Sequence, residues 1–467
     1  MSKSYKGKLQ GRNITNNGHM KVAKLPRTPT HTASYWLDSP NGRSAYTHQL
    51  FRFPAKFHPP VVRWALGNYG RRGSVLFDPF TGSGTGQIEA LVRGISSVGL
   101  DIDQLACLIA EAKTTPLDPV RLRRAVDKIK LILTPFLRLH ADREVRKGSD
   151  ISEERYERES ASLSIPPIPN IVHWFRRYVI VDLARVFWGL DQVKLGAEEK
   201  RFFRVCVASV VRGVSNADPA PVSGLEVTSI QAERNRERII KVFDQFFAKV
   251  QLAISGMDQL WTAYQDSSNS ATAKVLNGDV LQLATLLDDS VVPCDGFPLV
   301  ITSPPYCRAV EYSRRHQLEM YWMGFVKNRA EQIKLAHTYV GRNLVRETDW
   351  NDKTDFGIKI LDNGLAKMAE RDPVRARGVR HYFYSMAEFF EALSQKVKRT
   401  GTIVCIIGNS TCCDVPIPTA DILAEIASVR FVLNRRFSYA LRNHYMQYGL
   451  WNGDGIKQEH VLIFKPH

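Results

Sequence analysis

No run of this chain is apolar for long enough to cross a bilayer, and its first residues lack the uninterrupted hydrophobic core of a secretory signal. The expectation is a soluble protein of a bacterial, archaeal or phage-host cytoplasm, with no membrane partner. Cysteine is sparse: seven residues, at 107, 206, 294, 307, 405, 412 and 413, form no CxxC pair. That spacing excludes a small disulfide framework and fits free thiols in a reducing compartment. No zinc-finger, EF-hand or P-loop spacing occurs, and His58, His316 and His381 stand alone, so no catalytic metal is expected. Internal repeats and long low-complexity tracts are absent too. Acidic charge is in short supply, with 47 Asp and Glu against 64 Lys and Arg and a formal net charge of +17. An excess of this size favours a polyanionic partner, because neutralising phosphates releases counterions.

What is present is more specific. The apolar run Phe297-Pro298-Leu299-Val300-Ile301 ends in Thr302-Ser303-Pro304-Pro305-Tyr306. Two consecutive prolines fix φ and supply no N–H, so the carbonyls around Ser303 and Pro304 stay free to accept hydrogen bonds from an amine. Tyr306 adds a flat face for a planar heterocycle, for which the ring matters more than the hydroxyl. A second segment, Val75 to Gly86, reads as strand, glycine turn and helix start. Its glycines allow close backbone approach, and the helix start offers free N–H groups. A further apolar run, Ile95 to Leu100, ends in Asp101-Ile102-Asp103, where a carboxylate at a strand end can hold ribose hydroxyls. Asn277-Gly278-Asp279 follows another short strand and places Asp279 where it could meet an adenine amino group. Together these describe a nucleoside-cofactor site.

With Phe53-Pro54-Ala55-Lys56-Phe57 upstream, these motifs resemble those of the S-adenosylmethionine-dependent DNA amino-methyltransferases, which methylate N4 of cytosine or N6 of adenine. The resemblance implies a Rossmann-like class I methyltransferase core, an α/β doubly wound mixed sheet with an antiparallel C-terminal strand. It implies that Phe53, Pro54, Lys56 and Phe57 lie beside the methionine end of the cofactor. Asp78, Pro79, Phe80, Gly82, Ser83, Gly84 and Thr85 would cradle it, and Asp101 and Asp279 would complete its site. Ser303, Pro304, Pro305 and Tyr306 would receive the base. A serine heading that loop is more similar to the N4-cytosine members, whereas Asp or Asn more often heads it in N6-adenine members. Cys307 is not read as a nucleophile, because amine methylation needs no covalent enzyme intermediate. DNA is the expected partner, with a cognate restriction endonuclease as a further one. An N6-adenine enzyme, an RNA amino-methyltransferase and a catalytically silent nucleic-acid-binding protein stay open as alternatives.

The order of the motifs divides the chain. Residues 1–45 carry lysine and arginine with no acidic residue before Asp38, and read as a disordered basic arm. Residues 46–113 form the cofactor half of the core and 272–467 the catalytic half. Between them, 114–271 is far longer than one strand-to-strand connection needs, and reads as a largely helical insertion for target recognition. Within it, Trp174, Arg176 and Arg177 are candidates for DNA contact, against the plainer reading of an amphipathic helix with solvated arginines. A second polar insertion, 326–380, contains Arg342, Arg346, Arg371, Arg375, Arg377 and Arg380 and is a rival for the same role.

Overall fold

The computed structural model describes residues 19–22, 34–37, 45–53, 57–142, 149–218, 224–266, 270–288, 290–307, 312–342, 345–352, 355–440, 456 and 458–467. Pro54 and Lys56 lie outside the described residues, as does most of the basic arm. Seven apolar segments build the core sheet: β1 Val75–Asp78, β2 Ser96–Asp101, β3 Ala273–Asn277, β4 Phe297–Thr302, β5 Val397–Gly408, β6 Phe431–Ala440 and β7 Gln458–Pro466. They lie in the order β3-β2-β1-β4-β5-β7-β6. Neighbours run parallel except β7, which is antiparallel to both β5 and β6. This is the doubly wound class I methyltransferase sheet, with its antiparallel strand at the C-terminus.

A parallel sheet is covered on both faces, so its strands read as continuous apolar runs rather than alternating ones. Phe77, Leu299, Val300, Ile301, Ile403, Val404 and Cys405 are all fully buried or nearly so. On one face lie α1 Pro59–Tyr69, α2 Thr85–Leu91 and α3 Gln104–Thr114. The expected insertion follows as α4 Pro119–Asp142, α5 Arg177–Gln192, α6 Ala197–Val214 and α7 Val242–Asp266, with shorter helices between them. It is helical, yet no separate domain: Leu122, Phe202, Phe243 and Met257 share one apolar cluster with Ile88 of α2 and Ile109 of α3. On the opposite face, α8 Lys359–Arg371, α9 Pro373–Ser394 and α10 Thr419–Ala427 bury Leu361, Leu365, Val379, Phe389 and Leu423 against Phe77, Val300 and Ile403.

Three details differ from expectation. His19–Val22 and Ser34–Leu37, within the arm read as disordered, form parallel strands that extend the sheet past β6 through Ser34↔Ser438 and Tyr35↔Tyr439. Lys398-Arg399-Thr400-Gly401, a stretch whose charge and glycine suit a turn, belongs to β5 itself, with a register shift opposite β4 between Phe297 and Leu299. The polar insertion 326–380 contains all of α8 and the start of α9, so much of it is cover for the sheet. Five of its arginines face carboxylates of the chain: Arg342 faces Asp349, Arg371 Asp414, Arg375 Asp372, Arg377 Glu347 and Arg380 Asp355.

Strand order fixes where a ligand can sit. The chain leaves β1 for β2 and β3 on one side, then returns to β4 on the other side of β1. A crevice opens outside the C-terminal ends of strands at such a switch point. Here those ends are Asp78 and Thr302, so the glycine loop and the Ser-Pro-Pro-Tyr loop leave the sheet side by side.

Candidate cofactor and base site

A cleft enclosing about 810 Å³, open solvent included, lies at this switch point. Phe53, Phe57, Pro79, Phe80, Gly82, Ser83, Thr85, Asp101, Asp279, Ser303 and Pro305 line it, so residues from five separate motifs meet in one place. Pro304 is buried behind Ser303, and Gly84 sits under the turn rather than on its surface.

The glycine turn is held from several sides. Gly82 and Gly84 adopt φ of +48° and +75°, and Gly84 is the N-cap of α2. A Cβ on Gly84 would lie 3.0 Å from the Cβ and 3.1 Å from the Cα of Ala110 on α3, so only glycine lets the two helices approach. Lys113, fully buried at the end of α3, donates to the Ser83 carbonyl at 2.8 Å and lies 3.2 Å from the Ser83 hydroxyl. On β2, Gly99 faces the same turn, where a Cβ would sit 2.6 Å from the Gln87 side chain and 2.7 Å from that of Thr81. The Thr81 hydroxyl in turn donates to Gln87 Oε1 at 2.8 Å.

Acidic groups line the cleft floor. Asp101 accepts from the backbone N–H of Gly82 at 2.8 Å and of Asp103 at 3.0 Å, tying the end of β2 to the glycine turn. Burial, with the Asp103 charge adding to it, pushes the Asp101 carboxyl up to about 7. Asp103 caps α3 by accepting from the N–H of Leu105 and Ala106, and burial raises its pKa as well. Asp78 is fully buried under the turn, and burial raises it to about 8 against the opposing effect of Thr302 and the Phe80 N–H. Asp279 caps a short turn by accepting from the Leu281 N–H at 3.0 Å. Such a floor offers acceptor oxygens to hydroxyl and amino donors.

The aromatic wall is extended by a ring from the catalytic half. Phe53 stacks on His316 with ring centroids 5.1 Å apart and planes 18° off parallel. Burial lowers His316 to about 3, so this imidazole is neutral and acts as an apolar plate. Among the described residues no group of three His, Cys, Asp or Glu side chains is placed to hold a metal ion.

Two contributors were missed from the sequence. Thr338, Tyr339 and Val340, from the polar insertion, line the cleft beside Asp101 and Asp103. No local pattern marks them. Glu459, at the start of β7, accepts from the Tyr306 hydroxyl at 2.5 Å and also from the Tyr439 hydroxyl. Tyr306 is therefore held by its hydroxyl as well as by its place in the loop. Cys307 beside it is 1% exposed, a packed thiol.

The candidate DNA contacts fare differently. A short helix, Ile171–Trp174, stops at the fully buried Phe175, and α5 starts two residues later. Arg176, 8% exposed, donates to the backbone carbonyls of Arg238, at 2.8 Å, and Asn235. That corrects its reading as a phosphate contact, since the guanidinium is committed to the backbone. Arg177 is more open and lies 3.7 Å from Glu153, while Trp174 is partly exposed beside His173.

No family model matches the chain. Among curated proteins, it is 22% identical over 393 residues to the Type II methyltransferase M.MvaI of Kocuria varians, covering 81% of this chain and 80% of that one. It is 31% identical over 127 residues to the Type II methyltransferase M.MjaII of Methanocaldococcus jannaschii, covering 27% of this chain and 24% of that one. Against the Type II methyltransferase M.BsoBI of Geobacillus stearothermophilus, identity is 21% over 307 residues, 62% of this chain and 55% of that one. The chain is thus similar, over most of its length, to Type II methyltransferases. Among solved structures, the rRNA methyltransferase aviRa of Streptomyces viridochromogenes overlays 89% of this chain and 88% of its own. With a TM-score of 0.31 and 11% identity, that overlay carries no weight, and the fold assignment rests on strand order and direction.

Proposed function

We propose that the chain is a site-specific DNA methyltransferase that transfers the methyl group of S-adenosylmethionine to the exocyclic N4 of cytosine, taking the base out of the duplex to reach it. The observation that carries this reading is the position of Ser303 and Pro305 on the same cleft as Gly82, Asp101 and Asp279. The cleft fits the cofactor on its own geometry: a turn that only glycine can make, a carboxylate at the end of β2 for ribose, and the aromatic rings of Phe53, Phe57 and Phe80. Asp279 would take the adenine amino group. When bound, S-adenosylmethionine supplies an electrophilic methyl group on a sulfonium.

The chain's own residues then do three things. Ser303 Oγ and the Pro304 carbonyl accept from the protons of the target amine and fix its direction, which places the lone pair towards the cleft. Pro304 and Pro305 keep this loop from joining a helix or ladder, so its acceptors need no rearrangement. Tyr306 offers its face to the extruded base. Serine at the head of the loop supports cytosine over adenine. Outside the base pocket, the positive net charge supports a long DNA contact, and Trp174 and Arg177 are proposed within it. The Type II designation of the relatives supports a partner restriction endonuclease.

One prediction concerns Asp101. Ribose hydroxyls are held best by the ionised carboxylate, whereas the empty fold favours the proton up to about pH 7. Cofactor affinity is therefore expected to rise as pH increases through about 7 and to level off above it. Asp101→Asn should bind more weakly and lose that slope while keeping the fold. Calorimetric titrations across this range check both points, and an Asp101→Asn slope equal to wild type would remove the carboxylate from the site.

A further inference from the structure

We propose that Glu459 is a positioning residue for the base-stacking ring of Tyr306, fixing the ring plane by holding its hydroxyl; the inference rests on the base-binding role given to Tyr306. On β7, Glu459 pairs with Gly408 of β5 on one side and with Tyr439 of β6 on the other. Directly paired residues project to the same face of a sheet. Gly408 projects nothing, and a Cβ there would sit 2.7 Å from Ile456 Cγ2 and 3.1 Å from Tyr306 Cε2, so the Tyr306 ring lies against β5 beside Ile456 in the space that the missing side chain leaves. Its hydroxyl then reaches Glu459 Oε1 at 2.5 Å. Tyr439, 1% exposed, donates to the other oxygen from the far side.

Both carboxylate oxygens are thus occupied by tyrosine hydroxyls that come from different elements. The two donors favour the ionised carboxylate and oppose the burial that raises the Glu459 pKa. The consequence is a ring fixed at two points, its Cα on the loop and its hydroxyl on the sheet. A platform held in this way does not have to be ordered when the base arrives. The arrangement spans 153 residues of sequence and joins the catalytic loop to the last strand.

The test uses the full chain, unmethylated genomic DNA and labelled S-adenosylmethionine. Glu459→Gln keeps the shape but offers one acceptor oxygen where two are used, and Glu459→Ala offers none. Both are expected to lower kcat/KM for DNA, Glu459→Ala by about ten- to a hundredfold, the scale of a misplaced reacting partner. Cofactor affinity should stay at the wild-type level. In a Tyr306→Phe background the same changes should have little further effect, because the hydroxyl they act through is already gone. Equal losses in the two backgrounds, a parallel loss of cofactor affinity, or unchanged kinetics would each overturn the proposal. If Glu459→Ala does not fold, Glu459→Gln alone gives the coupling. Methylation by the wild type with insensitive Glu459 variants sinks this inference only, whereas a wild type that methylates no nucleic acid sinks the function on which it rests.

Discussion

Gly84→Val is expected to abolish cofactor binding and to destabilise the fold by about 3 kcal/mol or more. Two independent costs add. Gly84 adopts φ +75°, and a β-branched residue held in that region costs about 1–3 kcal/mol. The new Cβ would also press on Ala110 at 3.0 and 3.1 Å, and the nearer of these contacts cannot be relieved by a rotamer change. Forcing atoms into a packed contact of this sort adds about 1–3 kcal/mol. Separating α2 from α3 would move Ser83 away from Lys113 and Gly82 away from Asp101, so the cleft floor goes with the turn. Thermal unfolding together with cofactor calorimetry measures both effects. Normal cofactor affinity in this variant would reduce the glycine turn to a strand-to-helix connector.

Tyr306→Ala is the second large effect: methyl transfer to DNA should fall about ten- to a hundredfold in kcat/KM, with cofactor affinity nearly intact. Base stacking on an aromatic ring is worth about 1–3 kcal/mol, and each 1.4 kcal/mol is about tenfold. The cofactor contacts proposed above come from the glycine turn and the ends of β2 and β3, none of which rests on Tyr306. Sequence reasoning treated the hydroxyl as dispensable, but its bond to Glu459 changes the expectation for Tyr306→Phe. That variant keeps the stacking face and loses its anchor, so an intermediate rate is expected. Steady-state kinetics with DNA and cofactor varied separately distinguish the three proteins. Tyr306→Ala with wild-type kcat/KM would remove the ring from the base site.

The parts of this molecule that could be read from sequence are those whose cause is local. β1, β2, β4 and the apolar part of β5 announce themselves because a parallel sheet buries both faces of each strand. The loops after β1 and β4 are legible because glycine at positive φ and consecutive prolines leave few conformations open. Tyr339 and Glu459 were not legible, because each joins the site across a long stretch of chain with no period to mark it. Arg176 shows the reverse failure. Arginine next to aromatics has the composition of a nucleic-acid surface, but the helix breaks at Phe175 and turns that guanidinium onto the carbonyls of Asn235 and Arg238. The arginines of 326–380 differ from Arg176, since they face carboxylates of the same segment and beyond it in ion pairs that are mostly open to solvent.

The central claim is that the cleft delivers a methyl group to the amino group of cytosine in DNA. Incubating the protein with unmethylated DNA and labelled S-adenosylmethionine, then separating the nucleosides by mass spectrometry, tests it most directly. The account predicts label in N4-methylcytosine. Label in N6-methyladenine would contradict the base assignment drawn from Ser303 while leaving amine methylation in place, and DNA with no labelled exocyclic amine would contradict the claim itself.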